Sequence, residues 1–321
     1  MKKLDSLSRD IVCALYFQGN RSISEVAAQL KVRSNRVRYA LNTMLEHKVL
    51  YPHVYLNPAA LGVQEFQVYL KIFRDSKSLR EKFLSLVKDS PQILFVSAVG
   101  GPYEFLMLIC VEHVGELSTL LDSLFQQLKS AEYTKTISIE TSITIYPPKM
   151  LGSRVAQNRY ITWNVSDKRG EIDEVDLKIV HGLIKNSWAG GTVKLAQQLG
   201  MLNTTLDYRI KSLQKKNVIL CFGYMLSSKG TDLVPYSFLV QMTKSSKELR
   251  TAMRTFCQTH TNVSSLTECL GAWDFQINAR FMKHSDVYDF IPELTQTFGE
   301  ALGTVTTVPV FKILKLHRGL P

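Results

Sequence analysis

The stretch Gly101-Pro102-Tyr103-Glu104-Phe105 returns 170 residues later as Gly271-Ala272-Trp273-Asp274-Phe275. Each is a glycine, a spacer, an aromatic, an acid and a phenylalanine. Moving outward, Val49-Leu50 returns as Val218-Ile219, Tyr39-Ala40-Leu41 as Tyr208-Arg209-Ile210, and Ala27-Ala28-Gln29-Leu30 as Ala196-Gln197-Gln198-Leu199. Leu4-Asp5 followed by Ile11-Val12 returns as Ile172-Asp173 followed by Ile179-Val180, with the offset now 168. An offset that drifts slowly while the order holds marks a duplicated unit.

Each copy divides again. In copy one, Leu7, Ile11, Ala14 and Leu15 recur at helical spacing over 5–17, with Asp5 as the cap and Gly19-Asn20 as the stop. Ser22-Ile23-Ser24-Glu25 has the spacing of a capping box, in which a hydroxyl and a carboxylate satisfy the first free N–H groups of a helix. That short helix ends near Leu30, a tight turn follows, and a third helix runs over 34–47 with Val37, Leu41, Met44 and Leu45 inward. Copy two repeats this over 175–185, 192–199 and 203–216, with Asn217 as a left-handed C-terminal residue.

After the helices the period falls from 3.6 to 2. Phe66, Val68, Leu70 and Ile72 alternate with polar residues, as in a half-buried strand. A helix over 78–88, strands over 93–99 and 103–111, a helix over 114–129 and a strand over 136–146 follow. The order βαββαβ is that of a ferredoxin-like sandwich. Copy two gives it again over 235–242, 246–258, 263–270, 273–281, 285–298 and 304–316.

The expected fold is therefore α+β: two tandem copies of a winged helix-turn-helix followed by a ferredoxin-like βαββαβ sandwich. The expected boundaries are 1–60, 61–150, a polar and basic linker at 151–170 with one strand of its own, 171–228, and 229–321.

Composition bounds the function. The chain has 321 residues, 45% of them hydrophobic, which excludes bulk disorder. No apolar stretch approaches the roughly 20 residues of a membrane span. The start has no apolar segment of a signal peptide, so a cytoplasmic protein is expected. Cys13, Cys110, Cys221, Cys257 and Cys269 are scattered without a CxxC, which supports neither a zinc ribbon nor a disulfide framework and fits a reducing compartment. The net charge is +11. The excess is concentrated near the start, where residues 1–60 carry nine Lys and Arg against four Asp and Glu, and in the linker, where four face one. A local basic excess points to a polyanion partner.

The third helix of a helix-turn-helix enters the major groove, where its N-terminal half reads base edges. In copy one the outward residues there are Arg33, Ser34, Asn35, Arg36, Arg38 and Tyr39, and the nearest acid in the helix, Glu46, is at its far end. Arginine bonds guanine bidentately and asparagine does the same for adenine. The competing reading, a solvated face on a packing helix, fits poorly with three arginines in six residues. In copy two the matching residues are Asn203, Thr204, Thr205, Tyr208, Arg209 and Lys211, interrupted by Asp207. A helix kept for packing or pseudo-symmetry remains open for this copy.

This layout, with Leu4-Asp5 and the Gly-x-aromatic-acid turns, resembles the Lrp/AsnC family of transcription regulators over nearly the whole chain, as two fused copies. The resemblance implies double-stranded DNA as partner, a small-molecule effector such as an amino acid, a homodimer or higher oligomer, and no cofactor. The sequence departs from the family where a serine usually caps the recognition helix (Arg33 and Leu202), where an arginine usually lies one turn in (Ala40, though Arg209 keeps it), and where a glycine usually follows (Lys48 and Asn217).

The turns themselves, Gly100, Gly101, Tyr103 and Glu104, and Gly271, Trp273 and Asp274, admit two readings. As an effector site, glycine allows close approach, the acid meets an ammonium and the aromatic covers an apolar side chain. As structure, they form a glycine-dependent hairpin with a packed aromatic and a solvated acid. Sirohaem decarboxylases share the two-module architecture and form the alternative class, but their chemistry rests on histidines near the second strand and the turn after it. Here 93–105 and 263–275 contain none; His113 and His284 precede helices, His260 lies in a loop, and His47 and His53 flank the wing. The sequence therefore predicts a regulator and not an enzyme.

Overall fold

The computed structural model describes residues 4–73, 77–128, 132–155, 159–186, 192–227 and 231–316. The first module consists of α1 (Ser6–Leu15), α2 (Ile23–Leu30), α3 (Ser34–Glu46) and β1 (Leu50–Leu56). Its caps are those the sequence announces. Asp5 accepts the Ser8 N–H at 2.7 Å, and Ser22 and Glu25 close a reciprocal capping box on α2. Lys31 and Lys48 take left-handed φ values of 56° and 55° at the ends of α2 and α3. The third module repeats the set as α6 (Glu174–Asn186), α7 (Thr192–Gln198), α8 (Asn203–Lys215) and β7 (Ile219–Leu226), with Asn217 left-handed at φ 59°.

The wings are not separate hairpins. Each is a single strand, and β1 pairs antiparallel with β7, from Leu50 opposite Leu226 to Leu56 opposite Ile219. The apolar cores cross over with them. Tyr224 and Leu226 pack into the core of the first helix-turn-helix, and Val54, Ala60 and Leu61 into that of the second.

The second module contains β2 (Gln64–Phe73), α4 (Lys77–Asp89), β3 (Ile93–Val99), β4 (Phe105–Val111), α5 (Val114–Gln127) and β5 (Glu132–Ile145). The fourth contains β8 (Val234–Met242), α9 (Lys247–Thr259), β9 (Val263–Gly271), β10 (Phe275–Phe281), α10 (Val287–Phe298) and β11 (Leu302–Leu316). Both are antiparallel sheets, ordered β5-β2-β4-β3 and β11-β8-β10-β9. Between them β6 (Ile161–Asn164) of the connecting segment adds to β5. Each sheet carries its helices on one face over a core of its own, which includes the fully buried Phe66, Phe83 and Phe105 in the first and Phe238, Phe275 and Phe290 in the second. Burying such a side chain contributes about 1.5–3 kcal/mol.

The edges of the two sheets then pair with each other. β5 pairs with β9, Ile139 opposite Leu270, and β11 pairs with β3, Val310 opposite Val99. With β5 also bound to β2, the strands close into a ring with no free edge at either seam. The inward faces form a fifth apolar cluster from both repeats, with Tyr69, Val99, Leu106, Leu239, Cys269, Trp273 and Val308. Among the described residues, no helix is long and apolar enough to cross a membrane.

The wing pairing leaves no room at Gly223, where a Cβ would lie 1.9 Å from the Tyr16 carbonyl oxygen. Gly223→Ala is expected to destabilise the chain by about 1–3 kcal/mol through overpacking. Urea unfolding would show it as a lower midpoint, and an unchanged midpoint would contradict the wing packing.

Candidate functional sites

α3 buries Val37, Leu41 and Met44 against α1 and α2 and turns its other side outward. Arg33, Asn35, Arg36, Arg38 and Tyr39 are exposed, Tyr39 at 75%, and Ser34 is half-buried. Among the described residues, no carboxylate lies within salt-bridge distance of Arg33, Arg36 or Arg38. The Asp5 carboxyl is held below the usual range by the Ser8 hydrogen bonds, with a smaller contribution from Arg36 nearby. Arg33 stands at the N-cap position and no side chain caps the helix, so its first N–H groups are open to an external acceptor.

α8 differs. Asn203, Thr204, Thr205, Tyr208 and Lys211 are exposed, Tyr208 at 73%, and Asn203 donates to Asp207 at 3.4 Å. Arg209, expected among the DNA contacts, is bonded elsewhere on the same module. Its guanidinium lies 2.8 Å from both Asp173 and Asp176 at the start of α6, and Lys216 lies 3.8 Å from Asp176. These bonds hold Asp173 below the usual carboxylate range. The second helix-turn-helix is thus braced by an ion-pair cluster where the first has Ala40 and Ser8.

The two strand turns are seams. Glu104 accepts the Ile72 N–H at 2.6 Å and Asp274 accepts the Met242 N–H at 2.8 Å, so each acid clamps the neighbouring strand. Gly101 (φ 76°) passes so close to β11 that a Cβ would meet the Thr307 carbonyl oxygen at 2.8 Å, and a Cβ on Gly100 would meet the Phe311 ring at 2.7 Å. Gly271 (φ 121°) lies against Ile137 of β5 in the same way. Tyr103 and the buried Trp273 both pack on Tyr69 inside the ring, with centroids 4.9 and 5.2 Å away. The geometry gives these residues structural work, and the acids expected to meet an ammonium are already hydrogen-bonded to backbone.

Sequence reading passed over two acids inside the ring. Glu65 on β2 accepts the Trp163 indole N–H at 3.3 Å, and Glu140 on β5, 3% exposed, accepts from the Gln67 amide. Burial, reinforced by the charge of Glu140, pushes the Glu65 carboxyl well above its ordinary value. Burial likewise raises Glu140, and the Gln67 amide offsets part of it. Burial also raises the thiol of Cys110, which is opposite Glu65 in register. Among the described residues, no histidine is recorded bonding this group. His113 caps α5, His284 bonds Tyr236 and His260 bonds Glu293. Among the described residues, no cluster of three or more His, Cys, Asp or Glu suits a metal ion.

The fold and sites define a class: two helix-turn-helix modules and two ferredoxin-like modules in one chain. No protein-family model and no curated protein match the sequence. Among solved structures, the sirohaem decarboxylase NirDL is similar over 98% of this chain and 93% of its own, at TM-score 0.62 and 10% identity. A second structure of it, with an iron-uroporphyrin III analogue, is similar over 92% and 87% at TM-score 0.60 and 10% identity. A transcriptional regulator of Neisseria meningitidis in complex with L-Met matches 47% of this chain over 96% of its own, at 20% identity and TM-score 0.41. AsnC of E. coli matches 44% over 93%, at 19% identity and TM-score 0.38. At such identity the full-length likeness establishes the architecture. It also corrects one expectation: the sequence predicts no enzyme, yet the near-full-length matches are to an enzyme. A lack of histidine in two stretches of sequence does not exclude catalysis from this architecture.

A carboxyl whose pKa is raised on folding keeps a proton that the unfolded chain releases above the ordinary glutamate value of 4.5. The folded state then binds more protons than the unfolded one, so stability falls as pH rises from there through neutrality. The unfolding temperature is expected to drop between about pH 5 and about pH 8, and Glu140→Gln to flatten that slope. An identical slope in the variant would show that the pair does not titrate as its burial requires.

Proposed function

We propose that the chain is a cytoplasmic transcription regulator of the Lrp/AsnC type that binds double-stranded DNA through α3. The observation that carries this reading is the α3 face. Its arginines are outward and, among the described residues, without a carboxylate within salt-bridge distance, on a helix whose opposite side is fixed in a helix-turn-helix core. Arg33 and the uncapped helix start suit a phosphate. Arg36, Asn35 and Arg38 suit base edges, and Tyr39 suits either. On α8, Asn203, Thr204, Thr205, Tyr208 and Lys211 supply phosphate contacts, while Arg209 stays in its brace. The two faces are unlike, so the preferred half-sites are asymmetric, and two chains pair as a homodimer. A small metabolite such as an amino acid modulates binding through the ferredoxin-like pair.

The second reading is a sirohaem-decarboxylase-like enzyme, favoured by the likeness over nearly the full chain at TM-score 0.62. An absorption titration with sirohaem separates it. A saturable spectral change followed by release of carbon dioxide supports the enzyme, and an additive spectrum opposes it.

Selection of bound fragments from genomic DNA, followed by gel shift, tests the first reading. Wild-type affinity is expected to fall steeply with salt. Arg36→Ala is expected to cost about 1–3 kcal/mol and relax one position if it reads guanine. Arg36→Glu is expected to abolish the shift. An unchanged shift with Arg36→Glu would remove α3 as the reading element.

A further inference from the structure

The duplicated ring offers an internal control. Strand pairing in the two repeats matches residue for residue: Phe66 faces Ile139 as Tyr236 faces Pro309, and Gln67 faces Ser138 as Ser237 faces Val308. One residue beyond the first of these pairs, repeat one carries Glu65 and Glu140, while repeat two carries Pro235 and Val310. The ring closes without carboxyls at the matching place, so closure does not require the two acids. Burying them is costly unless something meets their charge.

What surrounds them is short of donors. Glu65 has the Trp163 N–H and Glu140 has one Gln67 N–H. No Lys, Arg or His lies within salt-bridge distance of either among the described residues. The Gln67 amide oxygen, on the same head group that bonds Glu140, is buried with no hydrogen-bond partner among the described residues, and the Ser138 hydroxyl opposite it in register is buried beside the Cys269 thiol. Gln67 is 7% exposed and Ser138 0%. Glu65 as a residue is partly buried, while its carboxyl lies inside the ring. Carboxylate and amide oxygens converge there in excess of N–H groups, and a compact cation with several N–H donors matches that deficit.

We propose that Glu65, Glu140 and Gln67, with the Ser138 hydroxyl, bind a small ammonium-bearing compound, one per chain. The ammonium donates to the two carboxylates and to the Gln67 amide oxygen. Entry displaces the proton the pair otherwise keeps. The site rests on the reading of a regulator with a small-molecule effector. It moves ammonium recognition from the turn acids Glu104 and Asp274, which bond backbone, to the inside of the ring. β5 pairs with both repeats, so occupancy acts on the strand that joins them.

Thermal unfolding of the full chain tests this with a panel of free L-amino acids, their N-acetyl derivatives, simple alkylammonium salts, and magnesium and potassium chlorides. At least one amine is expected to raise the unfolding temperature. Its N-acetyl form, with no cationic nitrogen, is expected to give no shift. Glu140→Gln and Glu65→Gln are each expected to remove the amine-dependent shift. A shift from alkylammonium salts alone identifies a simple amine, and one confined to amino acids identifies an amino acid. The proposal is overturned if no amine raises the unfolding temperature, if the N-acetyl forms act equally, if only the metal salts act, or if both variants keep the shift. DNA binding of the wild-type chain is measured separately: its loss defeats the regulator reading and leaves the amine result standing.

Discussion

The structure depends on how two open sheets dispose of their edges. A four-stranded ferredoxin-like sheet leaves a row of unpaired N–H and C=O groups along each outer strand, which invites uncontrolled pairing. Here each repeat supplies the partner of the other, β5 with β9 and β11 with β3, and the ring closes. Closure dictates much else. The turn glycines are required because the opposite repeat's strands pass within contact distance of them. Glu104 and Asp274 bond backbone N–H groups of β2 and β8 within their own repeats. The two helix-turn-helix units are drawn together as well, and their wings pair as β1 with β7.

Fusion of the copies frees them to diverge, because a substitution in one repeat is not repeated by symmetry in the other. The divergence is seen on the third helix of each helix-turn-helix and inside the ring. The arginines of α3 have no salt bridge among the described residues, while α8 has its arginine bound to Asp173 and Asp176. Inside the ring, one repeat carries Glu65 and Glu140 where the other carries Pro235 and Val310. The elements common to both repeats, the caps, the cores and the seams, are those the fold requires.

Much of the architecture was legible in the sequence because it is local. Asp5 and the Ser22-Glu25 box cap the helices they announce, Asn217 is left-handed as expected, and the change of period at Phe66 marks the first strand of a ferredoxin-like unit. The α3 face was legible too, since helical spacing alone separates Val37 and Leu41 from Arg36 and Tyr39. The rest is non-local. No local pattern says that β5 will find β9, or that Trp163 will reach Glu65 across 98 residues. Glu65 and Glu140 read as the polar half of an alternating strand, and only closure turns that half inward. Arg209 looked like a reading residue because its carboxylate partners are more than thirty positions earlier. The exclusion of catalysis failed for a different reason: it reasoned from histidines in two short stretches, whereas the whole-chain architecture is shared with an enzyme.

The central claim is that the outward face of α3 meets the duplex. The most direct measurement is site-specific photo-crosslinking, with a photoreactive amino acid placed at position 39 or at position 208 and the chain bound to a selected DNA fragment. The account predicts a strong crosslink to DNA from position 39, suppressed by competing unlabelled fragment, and a weaker one from position 208. Crosslinks from neither position, or from position 208 alone, would contradict it.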